Sequence, residues 1–318
     1  MKDIEFSIVV VTYNFEKIIL ECLEGIEQQT YKNFEVIISD DASSDKTVEI
    51  CKKWKEKVKN KIAVTIVKSK INQGVTKNYN NALKLATKEW IKIVDGDDIL
   101  KKDALEKLNF FINNNLGARV IFSKAQIFYT DSSKNVDLKI IPENIDFYKK
   151  DKKEQFRELL EDNCIVAPTV SIKNELLEDM GYFDEKYKMV EDYPFWIKLL
   201  KNNIKFYFLN EVIINYRKHS TSVSGKKDTE KLNPLMVEFE KQFYKDIYLK
   251  EVKNPFKKWD KFIEIKSKEI ILNNNNQKNF FSKIIVKLKI KKLRKYIFQI
   301  IILFFIYYFF KYYCNFIF

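Results

Sequence analysis

The feature that most constrains this chain is a regular alternation of short apolar runs and helix-like segments over its first 130 residues. Residues 6–12 form a mostly apolar, largely β-branched run, the composition of a strand buried on both faces. The period then changes to that of a helix at 18–28, with Ile19, Leu20, Leu23 and Ile26 apolar. Further strands are predicted at 34–39, 62–67, 90–94 and 120–128. Helices are predicted around Val48, Ile50, Cys51 and Trp54, capped by Ser43 or Ser44, and at 76–86 and 103–113. This repetition implies an α/β fold with a mostly parallel central sheet and helices on both faces.

In such sheets ligands bind beyond the carboxyl ends of the strands. That rule makes neighbours of three distant segments: Thr12-Tyr13-Asn14, the acidic stretch 40–45 with Asp40 and Asp41, and Asp95-Gly96-Asp97-Asp98. No GxGxxG follows the first strand and no GxxxxGK(S/T) occurs, so dinucleotide-oxidoreductase and P-loop readings lose their main support. A nucleotidyltransferase would need a Gly-rich, basic loop after the first strand, and Thr12-Tyr13-Asn14-Phe15 offers none. The one histidine leaves little room for a His-built metal site, and the four cysteines form no CxxC pair.

Three carboxylates at the end of a buried strand repel one another unless a cation, a base or a proton intervenes. A hard divalent ion suits them, and a diphosphate can share its coordination. The plainer reading is a solvated turn that caps the helix near Lys102. The 40–45 stretch is open to the same two readings, ligand contact or turn chemistry. Glu191-Asp192 opens a predicted helix at 193–201, where it either complements the helix dipole or supplies a general base. His219, after Tyr216-Arg217-Lys218, is either an ordinary histidine or a metal ligand beside a phosphate-neutralising Arg217. The remaining predicted elements are helices at 152–161, 173–180 and 234–276, strands at 165–172 and 205–216, and a loop at 220–231.

Taken in order, these segments resemble the family 2 glycosyltransferases of the GT-A fold, over about 6–224. Ser7 to Asn14 resembles the opening strand, and Ser39 to Thr47 the (N/D)DxSxDxT segment. Asn72-Gln73-Gly74 with Asn78 and Ala82 resembles NxGxxxARNxA, and Asp95 to Asp98 the DxDD metal motif. Gly181-Tyr182-Phe183-Asp184 followed by Glu191-Asp192 resembles the acceptor-side GxFDExxxxxED. Tyr216-Arg217 to His219, with Ser222 and Ser224, resembles the terminal YRxHxxSxS. Lys77 is read as standing where the pattern has Arg, which keeps the charge and loses the bidentate fork.

The resemblance implies an inverting transferase with a nucleotide-sugar donor, UDP-linked, and a divalent ion, Mn²⁺ or Mg²⁺. It implies Asp192 as general base, with Glu191 helping to hold the acceptor. Donor-binding residues would be Thr12, Tyr13, Asn14, Asp40, Asp41, Asn72, Gly74, Lys77, Asn78, Asp95, Gly96 and Arg217. Metal ligands would be Asp97, His219 and Asp95. A membrane-associated sugar-binding scaffold of the same shape would be expected to have lost Asp97 or Asp192, and both are present.

Charge is unevenly placed. The chain has 57 Lys and Arg against 44 Asp and Glu, and residues 241–318 hold 18 of the former and 5 of the latter, so the whole net charge of +13 lies in that end. Residues 283–295 carry seven basic side chains and no acid, and 296–310 are uncharged and strongly apolar. As a helix, 296–310 reaches about 22 Å and 296–318 about 34 Å, so the end either spans a bilayer or lies in its interface. Lipid is favoured over nucleic acid as the partner of this basic end. No signal peptide is predicted at the N-terminus.

The expected organisation is a catalytic domain at 1–231, divided into a nucleotide-sugar-binding half, 1–130, and an acceptor-binding half, 131–231. A helical extension at 232–276 and a membrane-associating tail at 277–318 follow, with an anionic membrane surface met through 283–318. The expected location is the cytoplasmic face of a bacterial inner membrane, peripheral or C-terminally anchored, in capsule, lipopolysaccharide or other polysaccharide biosynthesis. The acceptor would be a glycan or lipid-linked hydroxyl, and a homo-oligomer is left open.

Overall fold

The structure is a computed structural model, and the described residues are 2–130, 139–143, 146–218 and 232–273. The chain divides into two compact units, Met1–Thr229 and Glu230–Phe318.

The first unit begins β1 (Phe6–Thr12), α1 (Ile19–Glu27), β2 (Phe34–Asp40), α2 (Thr47–Val58), β3 (Ala63–Lys68), α3 (Val75–Leu83), β4 (Trp90–Asp95), β5 (Ile99–Leu100), α4 (Ala104–Asn114) and β6 (Val120–Tyr129). It continues with β7 (Ile140–Ile141), α5 (Asp146–Lys149), α6 (Lys152–Glu161), a 3-10 turn at Ala167–Thr169, β8 (Ser171–Lys173), α7 (Asn174–Met180), α8 (Asp192–Lys201) and β9 (Phe206–Lys218). Every residue of β1 is buried, which is why its sequence shows no polar alternation. Ile8, Val10, Val36 and Ile38 pack with Cys22, Leu23, Trp54 and Leu108 of α1, α2 and α4. The alternate residues point to the opposite face, where α3 packs on β1 and β2.

The sheet order is β3-β2-β1-β4-β8-β6-β9-β5, with β7 on β6. β3, β2, β1 and β4 are parallel, as are β6 and β9, whereas β8 runs antiparallel to both β4 and β6. The sheet is therefore mixed, and the expected mostly parallel arrangement describes β3, β2, β1, β4, β6 and β9, which run in one direction, while β8, β5 and β7 run against them. The predicted strand at 165–172 shrinks to Ser171–Lys173, because the chain coils into the turn at Pro168 before it enters the sheet. Helix α2 starts at Thr47 with Lys46 at its N-cap, so Ser43 and Ser44 are not its caps.

In the second unit, α9 (Pro234–Phe243) is capped by Asn233, whose Oδ1 accepts from Leu235 N at 3.0 Å. A π-helical stretch, Tyr244–Tyr248, and α10 (Leu249–Glu251) follow, and α11 (Pro255–Asn273) comes after a break. The continuous helix expected at 234–276 is interrupted because Pro255 disfavours helical backbone at Asn254. Asn254 caps the new helix instead, accepting from Phe256 N at 2.9 Å. Among the described residues no helix is long and apolar enough to cross a membrane. The tail at 277–318, the loop at 220–231 and His219 lie outside the described residues.

Candidate active site

The parallel ladder sets Thr12 beside Asp40 and Val11 beside Asp95, so the three expected segments leave the sheet at one edge. The first two are tied together by hydrogen bonds. Asn14 adopts a positive φ of 55°, and its N–H donates to Ser43 Oγ at 2.8 Å while its Oδ1 accepts from Ser44 N at 2.9 Å. Asp40 is buried and accepts from Ser43 N at 2.9 Å and from the Ser43 hydroxyl. Asp45 accepts from the Thr47 hydroxyl at 2.5 Å, from Thr47 N at 2.9 Å and from Glu16 N at 3.0 Å, and these bonds, the hydroxyl's first, hold its acid below the usual range against burial. Thr12 is buried with an unpartnered hydroxyl, and Tyr13 is 43% exposed beside it.

Asp41 reaches the start of α3. Its two oxygens accept from Gln73 N and Gly74 N, each at 2.8 Å. Gly74 has a φ of 91°, which favours glycine. Asn72, two residues earlier, is exposed. A carboxylate has lone pairs beyond these two bonds, so Asp41 retains capacity for one donor more. Asn78 is buried as a brace: its Oδ1 accepts from Ser39 Oγ at 2.6 Å, and its Nδ2 donates to Thr12 O at 3.3 Å.

Lys77 points elsewhere, 3.7 Å from Glu185 and about half exposed. The side chain that reaches the acidic turn is Tyr79, whose hydroxyl donates to Asp95 Oδ1. Counted from Asn72 to Ala82, the Arg of NxGxxxARNxA falls on Tyr79 and its Asn on Asn80. Asn80 is fully engaged with the acceptor-side loop, donating to Phe183 O at 2.9 Å and accepting from Phe183 N at 3.1 Å. Spacing to Ala82 was the signal that identifies Tyr79.

The acidic turn is tightly held. Gly96 N donates to Val11 O at 2.9 Å, and a Cβ on Gly96 would lie 2.8 Å from that oxygen and 3.0 Å from Ile19 Cδ1. Asp95, Asp97 and Asp98 each present a carboxylate oxygen within 4.8 Å of the others. Asp98 is completely buried; its Oδ1 accepts from Arg217 N at 2.8 Å, and its Oδ2 has no hydrogen-bond partner. Burial, followed by the charge of Asp97, pushes the acids of Asp95 and Asp98 upward. An all-oxygen donor set with one orphaned buried carboxylate oxygen fits a hard divalent cation. Asp98 belongs to the acidic cluster read from the sequence, although the resemblance did not imply it among the metal ligands.

Arg217 supports the turn from behind. It is 3% exposed, its Nε donates to Asp97 O at 2.6 Å, its guanidinium pairs with Glu21 at 2.8 Å, and it stacks 4.5 Å over Phe128. These bonds direct it to the protein, and Glu21 joins the site through it.

Glu191 and Asp192 are both buried at the start of α8. Asp192 Oδ2 accepts from Trp196 Nε1 at 3.2 Å, one helical turn on, and the Asn163 side chain lies beside it, favouring the ionised form. Burial raises the acids of both, with Asp192 adding to the rise of Glu191. Asp95 and Asp192 also repel across the site, which raises Asp95 further. The arrangement sets two buried carboxyls with raised pKa values near an acidic turn that suits a metal.

Comparison with known proteins agrees with this geometry. Residues 7–181 match the model of the family described as glycosyl transferase family 2. An uncharacterised glycosyltransferase of Methanocaldococcus jannaschii is 33% identical over 213 residues, covering 66% of this chain and 70% of the relative. The poly(ribitol-phosphate) beta-N-acetylglucosaminyltransferase TarS of Staphylococcus aureus is 31% identical over 217 residues, 67% of this chain and 35% of TarS. The crystal structure of TarS 1–349 with UDP-GlcNAc superposes with a TM-score of 0.57 at 23% identity, covering 84% of this chain and 81% of that one, a likeness of fold. With the family pattern matched over more than half its length and an acidic turn built for a cation, the chain belongs to glycosyl transferase family 2, a glycosyltransferase that takes a nucleotide-diphosphate sugar as donor.

Proposed function

We propose that the protein moves a sugar from a UDP-linked donor to a hydroxyl of a cell-surface glycan or lipid-linked acceptor, with inversion. The observation that carries this reading is the Asp95–Asp98 turn with its orphaned Asp98 oxygen, facing the raised carboxyl of Asp192. Thr12 and Tyr13 receive the base, with Asp41 supplying its remaining acceptor capacity. Asp97 and Asp95 hold Mn²⁺ or Mg²⁺, which when bound offsets charge on the departing diphosphate. Asp192 takes the proton of the attacking hydroxyl, and Glu191 helps to hold the acceptor. One base suffices, because direct displacement needs no covalent intermediate. The UDP preference rests on the donor named in the TarS complex.

The basic and apolar residues 283–318 place the enzyme against an anionic membrane at its cytoplasmic face, where lipid-linked acceptors are presented. The deciding experiment is a panel of nucleotide sugars with Mn²⁺, read first by thermal midpoint and then by transfer. A UDP-sugar that raises the midpoint and is consumed with UDP release supports the reading. Stabilisation by GDP- or dTDP-sugars alone removes the UDP assignment. Sedimentation with anionic vesicles, lost on deleting 280–318, tests the membrane contact.

A further inference from the structure

Lys92 is the one fully buried lysine among the described residues, three positions before Asp95 on β4. A lysine in such a place needs partners for its ammonium. Here the partners are backbone carbonyls: Ile93 O at 2.6 Å, Val170 O at 3.3 Å, and Pro168 O. Burial pushes its pKa down to about 7, against the pull of Asp98 and Asp95.

The carbonyls come from the point where β8 parts from β4. The two strands pair from Trp90↔Lys173 to Lys92↔Ser171, and beyond Val170 the chain turns away through Ala167–Thr169. Lys92 adds a donor to Val170 O, which also accepts from Ile93 N at 3.3 Å, and reaches Pro168 O in the turn beyond the paired residues. The same stretch starts at Asn163, whose Oδ1 accepts from Ile165 N at 3.1 Å and whose side chain lies beside Asp192; the helix that leads into it is tied to the residue after Asp192, Tyr193, whose hydroxyl donates to Leu159 O at 2.6 Å. Residues 163–170 therefore touch Asp192 at one end and the strand that carries the acidic turn at the other.

We propose that Lys92 is a positioning residue: by fastening the 168–170 carbonyls to β4, it sets the separation between the acidic turn and the Asn163–Asp192 pair. It aligns the two halves of the reaction without touching either substrate. The inference rests on the reading of Asp192 as base. Misalignment lets water replace the acceptor: the bond from the anomeric carbon to the diphosphate oxygen breaks, a water oxygen bonds to that carbon, and its proton passes to Asp192 or solvent.

The test is the ratio of donor hydrolysis to sugar transfer in Lys92→Met, which keeps the apolar stem and removes the donors. Transfer turnover is expected to fall about 10- to 100-fold, with donor KM held within about twofold and the hydrolysis share raised. Asn163→Ala should show the same pattern, and the double variant should fall no further than the worse single one. Lys92→Arg should recover part of the coupling. Hydrolysis and transfer falling together at an unchanged ratio, or losses that multiply in the double variant, overturn the proposal. If Lys92→Met does not fold, Lys92→Arg and Lys92→Gln enter the same cycle with Asn163→Ala, and independent losses there overturn it. Full turnover in Asp192→Asn would sink the base assignment; an inactive Asp192→Asn with an unchanged ratio in Lys92→Met sinks this inference alone.

Discussion

Trp196 Nε1 donates to Asp192 Oδ2 at 3.2 Å, so the carboxylate at the head of α8 is aimed by the indole one turn further along the same helix. The bond favours the ionised form, yet burial prevails and the acid is raised. That balance leaves a carboxyl whose pKa stands above the usual range and whose orientation is set by the indole.

Asp192→Asn keeps the shape and the Trp196 contact but removes the base. Turnover should fall by about 100-fold or more while donor binding stays within about twofold. Steady-state kinetics beside donor titration checks this, and equal activity removes Asp192 from the role.

Asp97→Asn and Asp98→Asn should each weaken binding of the cation in a measurable way. Transfer should stop in chelator and return with Mn²⁺ in the parent, and each variant should need a higher Mn²⁺ concentration for half-maximal rate. A loss of about 100-fold at fixed Mn²⁺ is in the range for removing one group that stabilises developing charge. Full activity of the parent in chelator defeats the assignment.

Stability of the metal-free protein should fall as pH rises. The acids of Asp95, Asp98, Glu191 and Asp192 are all raised in the folded state. A carboxyl with a raised folded pKa binds its proton more tightly when folded, so its contribution is complete below about pH 4 and is lost as pH climbs toward neutrality. Mn²⁺ should offset that loss. The gap between thermal midpoints with Mn²⁺ and with chelator should therefore widen from pH 5 to pH 8; a gap that narrows refutes the account.

Gly96→Ala should be costly although it adds one methyl. The new Cβ would meet the Val11 carbonyl oxygen at 2.8 Å, and that backbone atom cannot yield as the nearby Ile19 and Phe15 side chains could. A loss of about 1–3 kcal/mol is expected from such overpacking, measured by denaturant unfolding. Activity should fall more steeply than stability, because the displaced residues are Asp95 and Asp97.

The first half of the fold was legible because burial on both faces leaves a plain mark. β1 and β4 are mostly apolar runs, broken by Ser7 and Lys92 respectively, and the acidic turn stands where the second one stops. The second half was harder to read. β8 is three residues long and enters antiparallel through a turn at Pro168, so its 165–172 run looks like a longer strand than it is. In the site, Asp95, Asp97 and Asp192 announced themselves by residue type and context. Tyr79 and Asn163 did not, since a tyrosine on a helix and an asparagine in a loop are commonplace until their partners, Asp95 and Asp192, are placed beside them. Arg217 was legible as a cation; that its donors turn to Asp97, Asp98 and Glu21 is a tertiary fact.

The Arg217 brace also bears on how the molecule is made. The strands that present Asp95 to Asp98 are all within the first hundred residues, but the backbone N–H that satisfies Asp98 arrives 119 positions later. A chain that reaches only through α4 lacks both the N–H that Asp98 Oδ1 accepts and the strand that pairs with β5, so the acid is left open to water. The turn settles only when β9 threads in beside β6, so competence to hold the donor is acquired near the end of translation of this unit.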